Sequence, residues 1–217
     1  MRTHVYVDGF NLYYGCLNGS RFETSYRWLN PVALAATRFS QCSTSRLYYF
    51  SARVSRTAAD PHKPQRQQAY LDALQSLENP DLRVTLKLGT FLTVKRRGTV
   101  VSPIRPNCPS AVEVSLYEEK GSDVNLAAYL LKDAFQQRME AAIVISNDSD
   151  LVTPIQMCRD QFGIRVFVLN PHSKQSRSLR LAASRIENIR EADLQASQLP
   201  DPILTGEGRR IRKPAAW

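Results

Sequence analysis

Ala141-Ala142-Ile143-Val144-Ile145-Ser146-Asn147-Asp148-Ser149-Asp150 is an apolar run that ends abruptly in an Asp-x-Asp pair. Residues 141–145 read as a buried strand, and the two carboxylates then fall at its carboxyl end. In open α/β sheets ligands sit beyond that end of the strands. Two carboxylates about 4 Å apart repel by roughly 4 kcal/mol at an effective dielectric near 20, so a cation, a proton or bulk water must offset them. A turn or helix cap is the competing explanation, because Asp and Ser serve both.

Working outward, residues 4–7 form a first strand that ends at Asp8, and Asp8-Gly9-Phe10-Asn11 turns into a helix. Residues 31–39 have helical apolar spacing behind Asn30 as N-cap and Pro31 at the first position. Residues 46–54 are a second strand, and 64–77 another helix closed by Asn79-Pro80. Residues 82–88 and 90–95 alternate as two half-buried strands, Arg96-Arg97-Gly98 reads as a basic turn, and 99–110 as a proline-rich loop. Strand pattern returns at 112–117. A helix follows from Val124 to Phe135, then the strand 141–145, a helix over 151–162 ended by Gly163, the strand 164–169, a helix over 178–186 and a short edge strand at 186–189. This alternation predicts a doubly wound, mainly parallel α/β sheet with helices on both faces, a Rossmann-like three-layer fold.

The chain has 217 residues, 43% hydrophobic and 23% charged, enough for one sizeable core. Its net charge of +9 stays positive even without Arg209, Arg210, Arg212 and Lys213, which favours a polyanionic partner. Cys16, Cys42, Cys108 and Cys158 form no Cys-x-x-Cys pair, which argues against a zinc ribbon or a disulfide framework. His62 and His172 each neighbour a proline and read as loop residues. No stretch has the roughly 18 apolar residues of a membrane span, and the short first strand is unlike a signal peptide. A cytoplasmic enzyme or binding protein, with no membrane partner, is the expectation.

Three points of this map place acids at one sheet edge: Asp8, the pair Asp148 and Asp150, and Asp123 at the start of a helix. Such a cluster suits Mg²⁺ or Mn²⁺, hard cations that accept carboxylates, water and phosphate oxygens. That chemistry in turn suits phosphodiester cleavage. Asn11 and Ser146 are placed to reach into the cluster and to touch a phosphate or a metal-bound water, Asn11 unless it serves only as a cap. Phosphate contacts are expected from Arg53, Lys95, Arg96, Arg97 and Lys120, with Arg56, Lys63 and Arg105 as further candidates. Phe10, Tyr13 and Tyr14 either stack bases or pack in the core. Asp133 and Asp160 lie in helix patterns and read as solvated.

The runs Tyr6-Val7-Asp8-Gly9-Phe10-Asn11-Leu12-Tyr13, Glu119-Lys120-Gly121-Ser122-Asp123-Val124-Asn125-Leu126 and Ser146-Asn147-Asp148-Ser149-Asp150-Leu151 resemble the NYN domain family, in the branch similar to LabA and DUF88 proteins. Leu194-Gln195-Ala196-Ser197-Gln198-Leu199-Pro200 looks like that branch as well. The resemblance covers residues 3–200 and implies a PIN-like domain over 1–200, with 201–217 left as a flexible basic tail. It also implies a metal-dependent ribonuclease whose acidic set is Asp8, Asp123, Asp148 and Asp150, with Asn11 beside it. Asn147 stands where the family often has glycine, and Asn tolerates a left-handed turn. The alternative is a non-catalytic RNA-binding or regulatory module, disfavoured because all four acids are present. Haloacid dehalogenase-like and Toprim enzymes are disfavoured by Asp8-Gly9-Phe10, which has neither Asp-x-Asp nor glutamate after the first strand. DNA stays open as a second substrate, and the reading admits a homo-oligomer.

Overall fold

The computed structural model describes residues 1–101, 109–205 and 208–217. Its main sheet has seven strands: β1 (Arg2–Asp8), β2 (Ser43–Ala52), β3 (Arg83–Thr99), β4 (Ala111–Lys120), β5 (Ala141–Ile145), β6 (Arg165–Asn170) and β7 (Arg185–Asn188). They lie in the order β4-β3-β2-β1-β5-β6-β7, all neighbours parallel except the antiparallel β3–β4 pair. The winding reverses between β1 and β5, so the expected doubly wound α/β fold is present and its switch point lies at the quoted motif.

Strand alternation divides the core into two layers. Val5, Val7, Ile143 and Ile145 point to one face, and Tyr6, Ala142 and Val144 to the other. The first face packs against α2 (Pro31–Arg38), α3 (Lys63–Gln75) and α7 (Glu191–Ala196), through Leu34, Leu71, Leu74 and Leu194. The second is covered by α4 (Ser122–Phe135), α5 (Val152–Asp160) and α6 (Arg177–Ala182), through Leu126, Leu130, Ile155 and Leu179. Every side chain of β5 is buried, and truncating Ile143 to Ala would cost about 2–5 kcal/mol through the lost transfer energy and the cavity left behind. Asn30 caps α2 as expected, its Oδ1 accepting from the amides of Val32 at 3.0 Å and Ala33 at 3.1 Å. The short helix α1 (Gly9–Leu12) leaves β1 directly.

Three segments differ from expectation. Residues 82–95 are not two strands: β3 runs unbroken for 17 residues, and Arg96-Arg97-Gly98 lie within it, opposite Val114, Glu113 and Val112 of β4. The ladder from β4 satisfies their backbone, which local turn chemistry could not foresee. Val100 and Ser110 close the ribbon, the Val100 amide donating to the Ser110 carbonyl at 3.0 Å, while residues 102–108, with Arg105, lie outside the described residues. The segment after Pro200 folds back on the domain. It pairs β8 (Ile203–Leu204) with β9 (Arg210–Ile211), and Trp217 sets its ring against Tyr70 at 6.0 Å. No helix among the described residues is long and apolar enough to cross a membrane.

Candidate active site

The switch point assembles the site from strand ends. Asp8 is the last residue of β1 and is 4% exposed. Its Oδ1 accepts from the Asn11 amide at 2.9 Å, and its Oδ2 from the Ser146 hydroxyl at 3.0 Å. The Ser146 oxygen in turn accepts from the Asp148 amide at 3.1 Å, which ties the ends of β1 and β5 together. Ser146 is fully buried, so it positions Asp8 and does not offer the phosphate contact expected of it. Asn11 Oδ1 accepts from the Asn147 amide at 2.9 Å, and Asn147 Oδ1 from the Ser176 amide at 2.8 Å. Asn147 therefore serves by its side chain; among the described residues the only non-glycine residue in the left-handed region is Gln137. Asp148, not Asp150, is the cap, accepting from the Asp150 amide at 3.0 Å.

A cavity of about 360 Å³ gathers Asp8, Asn11, Asp123 and Asp148, together with Glu119 and His172. Burial raises the Asp8 carboxyl to about 6, with Asp123 and Asp148 adding repulsion, against the lowering effect of its two hydrogen bonds. Asp123 is likewise raised, first by burial and then by Asp148, Glu119 and Asp150. Among the described residues none of these acids has a Lys or Arg ion-pair partner. Nor, in this arrangement, do three acid, imidazole or thiol groups among them approach closely enough to ligate one ion jointly. The donor chemistry fits a hard divalent cation, since it consists of uncompensated carboxylate oxygens facing a cavity with room for the water that magnesium keeps.

Asp150 is exposed and stands outside the cavity lining. Glu119 and His172 are the residues that sequence reasoning missed. Glu119 sits opposite Phe91 across the β3–β4 ladder, and its Oε1 accepts from the Ser122 amide at 3.1 Å and hydroxyl at 2.8 Å. His172 follows the carboxyl end of β6, the same sheet edge as Asp8, and that position was the available signal.

The expected cations divide by strand alternation. Lys95 and Arg97 share the ribbon face of Phe91 and Glu119, whereas Arg96 and Lys120 lie on the opposite face, where both pair with Glu118, at 2.6 and 2.7 Å. Lys95 is itself 3.2 Å from Glu113. Arg53 is directed to Gln68 Oε1 at 2.6 Å and does not line the acidic cavity.

Phe10, Tyr14 and Phe91 form a wall shared with a second cavity of about 470 Å³, Phe10 and Phe91 meeting edge to face at 5.4 Å. Gly9 allows this wall to form: a Cβ there would meet the Phe50 carbonyl at 2.7 Å and the Tyr49 ring at 2.9 Å.

The chain is similar to known proteins in fold and in sequence. A solved protein of unknown function from Vibrio parahaemolyticus superposes with a TM-score of 0.51 at 14% identity, covering 91% of this chain and 96% of its own, a likeness of fold alone. The 6-hydroxy-3-succinoylpyridine 3-monooxygenase HspA of Pseudomonas putida is 32% identical over 244 residues, spanning 100% of this chain and 75% of that protein. The NYN domain pattern matches residues 2–190, which takes in all the strands of the main sheet and every acid of the cavity. With its three-layer PIN-like fold, the chain belongs to the NYN domain family.

Proposed function

We propose that the chain is a divalent-cation-dependent hydrolase of RNA phosphodiester bonds. The observation that carries this reading is the set of carboxylates, Asp8, Asp123 and Asp148, left without counter-charge at the sheet's switch point. Asp8, Asp123 and Asp148 are the residues that would hold magnesium or manganese, with Glu119 beside them. When bound, such an ion polarises a phosphoryl oxygen and eases deprotonation of the attacking water. Ser146 and the Asn11 amide hold the Asp8 carboxylate in one orientation, and Asn11 keeps the Asn147 turn, and with it Asp148, in place. His172, its pKa lowered by burial and then by Arg21, lines the same cavity. The ribbon face of Lys95 and Arg97 supplies positive charge in line with Glu119 and Phe91, a track for the strand's phosphates. The LabA-like branch and a cytoplasmic location are part of the same reading.

Labelled RNA and DNA pools incubated with Mg²⁺, Mn²⁺ or EDTA test it. Cleavage of RNA with either metal, abolished by EDTA and by Asp148→Asn, is expected; cleavage indifferent to both would overturn it.

A second reading is favoured by the 32% identity to the pyridine monooxygenase, which spans 75% of that protein, together with the aromatic-lined cavity beside the acids. In it the chain acts on a small aromatic acid. Turnover of such an acid by the purified chain, with no nucleic acid cut under either metal, would decide for this alternative.

A further inference from the structure

The second cavity has a chemistry of its own. Its lining includes Tyr49, 8% exposed, and Ser51, 4% exposed, and neither hydroxyl has a hydrogen-bond partner among the described residues. With no protein partner and a place on the cavity lining, they can take up hydrogen bonds from a polar atom of a ligand. Its aromatic lining includes Phe10 and Phe91, shared with the acidic cavity, and Tyr70 and Trp217, which do not line the acidic cavity. These rings are fixed rather than loose. Tyr70 donates to the Leu29 carbonyl at 2.9 Å, and its ring meets Trp217 edge to face at 6.0 Å. At the mouth stand Arg56 and Lys63, both exposed and neither ion-paired among the described residues, while the nearby Arg66 is already engaged by Asp60. At about 470 Å³ the cavity lies in the size range of small-molecule sites.

We infer that this cavity binds a planar aromatic ring bearing an anionic arm, the ring between the aromatic walls, a ring heteroatom or substituent at Tyr49 and Ser51, and the anion at Arg56 and Lys63. Mononucleotides and heteroaryl carboxylates share this chemistry. The inference stands apart from hydrolysis, because none of the four residues that would make the polar contacts lines the acidic cavity.

The test is calorimetric titration of the full chain in EDTA with two probes, uridine 5′-monophosphate and pyridine-3-carboxylate, and with succinate as an anion lacking a ring. Saturable binding of at least one ring-bearing probe is expected, with succinate silent. Arg56→Ala with Lys63→Ala should weaken it about tenfold or more, and Tyr49→Phe, which keeps the ring and packing, by about fivefold. Tighter binding of the nucleotide identifies a base subsite for a nucleic-acid strand; tighter binding of the pyridine acid identifies a metabolite site; either outcome upholds the inference. Failure of both probes to saturate at millimolar concentration, succinate binding equally well, or affinity unmoved in both variants would overturn it. Because EDTA is present throughout, a chain that cleaves no RNA can still pass, and one that cleaves RNA can still fail.

Discussion

Asp133 and Asp8 are two buried carboxylates served by opposite ends of one strand, and their surroundings are opposite too. Asp133 is fully buried beneath the start of β1, with His4 Nδ1 2.9 Å from its Oδ2 and the Tyr6 hydroxyl donating to the same oxygen at 2.9 Å. Burial pushes its carboxyl up, but the hydrogen bonds from His4, Tyr48 and Tyr6 outweigh it and hold the group below the usual range. Asp8, at the other end, has two donors, but burial and then the facing Asp123 and Asp148 raise it to about 6. Asp133 is held through its Oδ2 by His4 and Tyr6, with Arg138 3.7 Å from its Oδ1, which accepts no hydrogen bond. Asp8 lacks a counter-charge, which on the proposed reading a cation would supply.

Four changes would break or sharpen that contrast. The largest effect falls on activity: Asp8→Asn or Asp148→Asn should lower metal-dependent RNA cleavage by roughly 10²-fold or more, read in initial rates, with the fold intact by circular dichroism. Next is stability at the compensated end. Asp133→Ala strands the His4 and Tyr6 partners in the core and should cost about 3–5 kcal/mol in urea unfolding, with Asp133→Asn milder.

The third effect has the opposite sign. Asp8 has a native pKa near 6, above its unfolded value, so the folded chain binds more protons between about pH 4 and 6 and loses stability as pH rises through that window. In EDTA, Asp8→Asn should therefore be more stable than wild type above pH 6, by up to about 3 kcal/mol, with the difference closing near pH 4. Equal stability at pH 7 would remove the claim that this end of β1 is uncompensated. The smallest effect separates the ribbon faces. Lys95→Ala with Arg97→Ala should flatten the salt dependence of RNA binding by about 1.4 in slope, and Arg96→Ala with Lys120→Ala should leave it unchanged.

The sheet and its acidic edge were legible because they are written locally. The run Ala141–Ile145 is apolar at every position, as expected of a doubly covered strand, Asp8 ends β1, and Asp148 follows β5 after Ser146 and Asn147. What escaped depends on contacts between distant segments. Glu119 reaches the cavity through its register with Phe91, and His172 through the parallel neighbourhood of β1, β5 and β6. Asp133 looked like a solvated helix residue because its partners, His4 and Tyr6, sit 129 and 127 positions away. The ribbon cations looked like one turn, and only the ladder divides them into two faces. Ser146 was legible as a neighbour of the site, whereas its full burial, which makes it a support for Asp8, was not.

Manganese binding to the metal-free chain, measured by electron paramagnetic resonance at pH 7, tests most directly whether the acids at the carboxyl ends of β1 and β5 are a cation site. Saturable binding in the wild type, lost in both Asp8→Asn and Asp148→Asn and retained in Asp133→Asn, is the predicted result. Binding that survives in both site variants, or that is absent from the wild type, would contradict it.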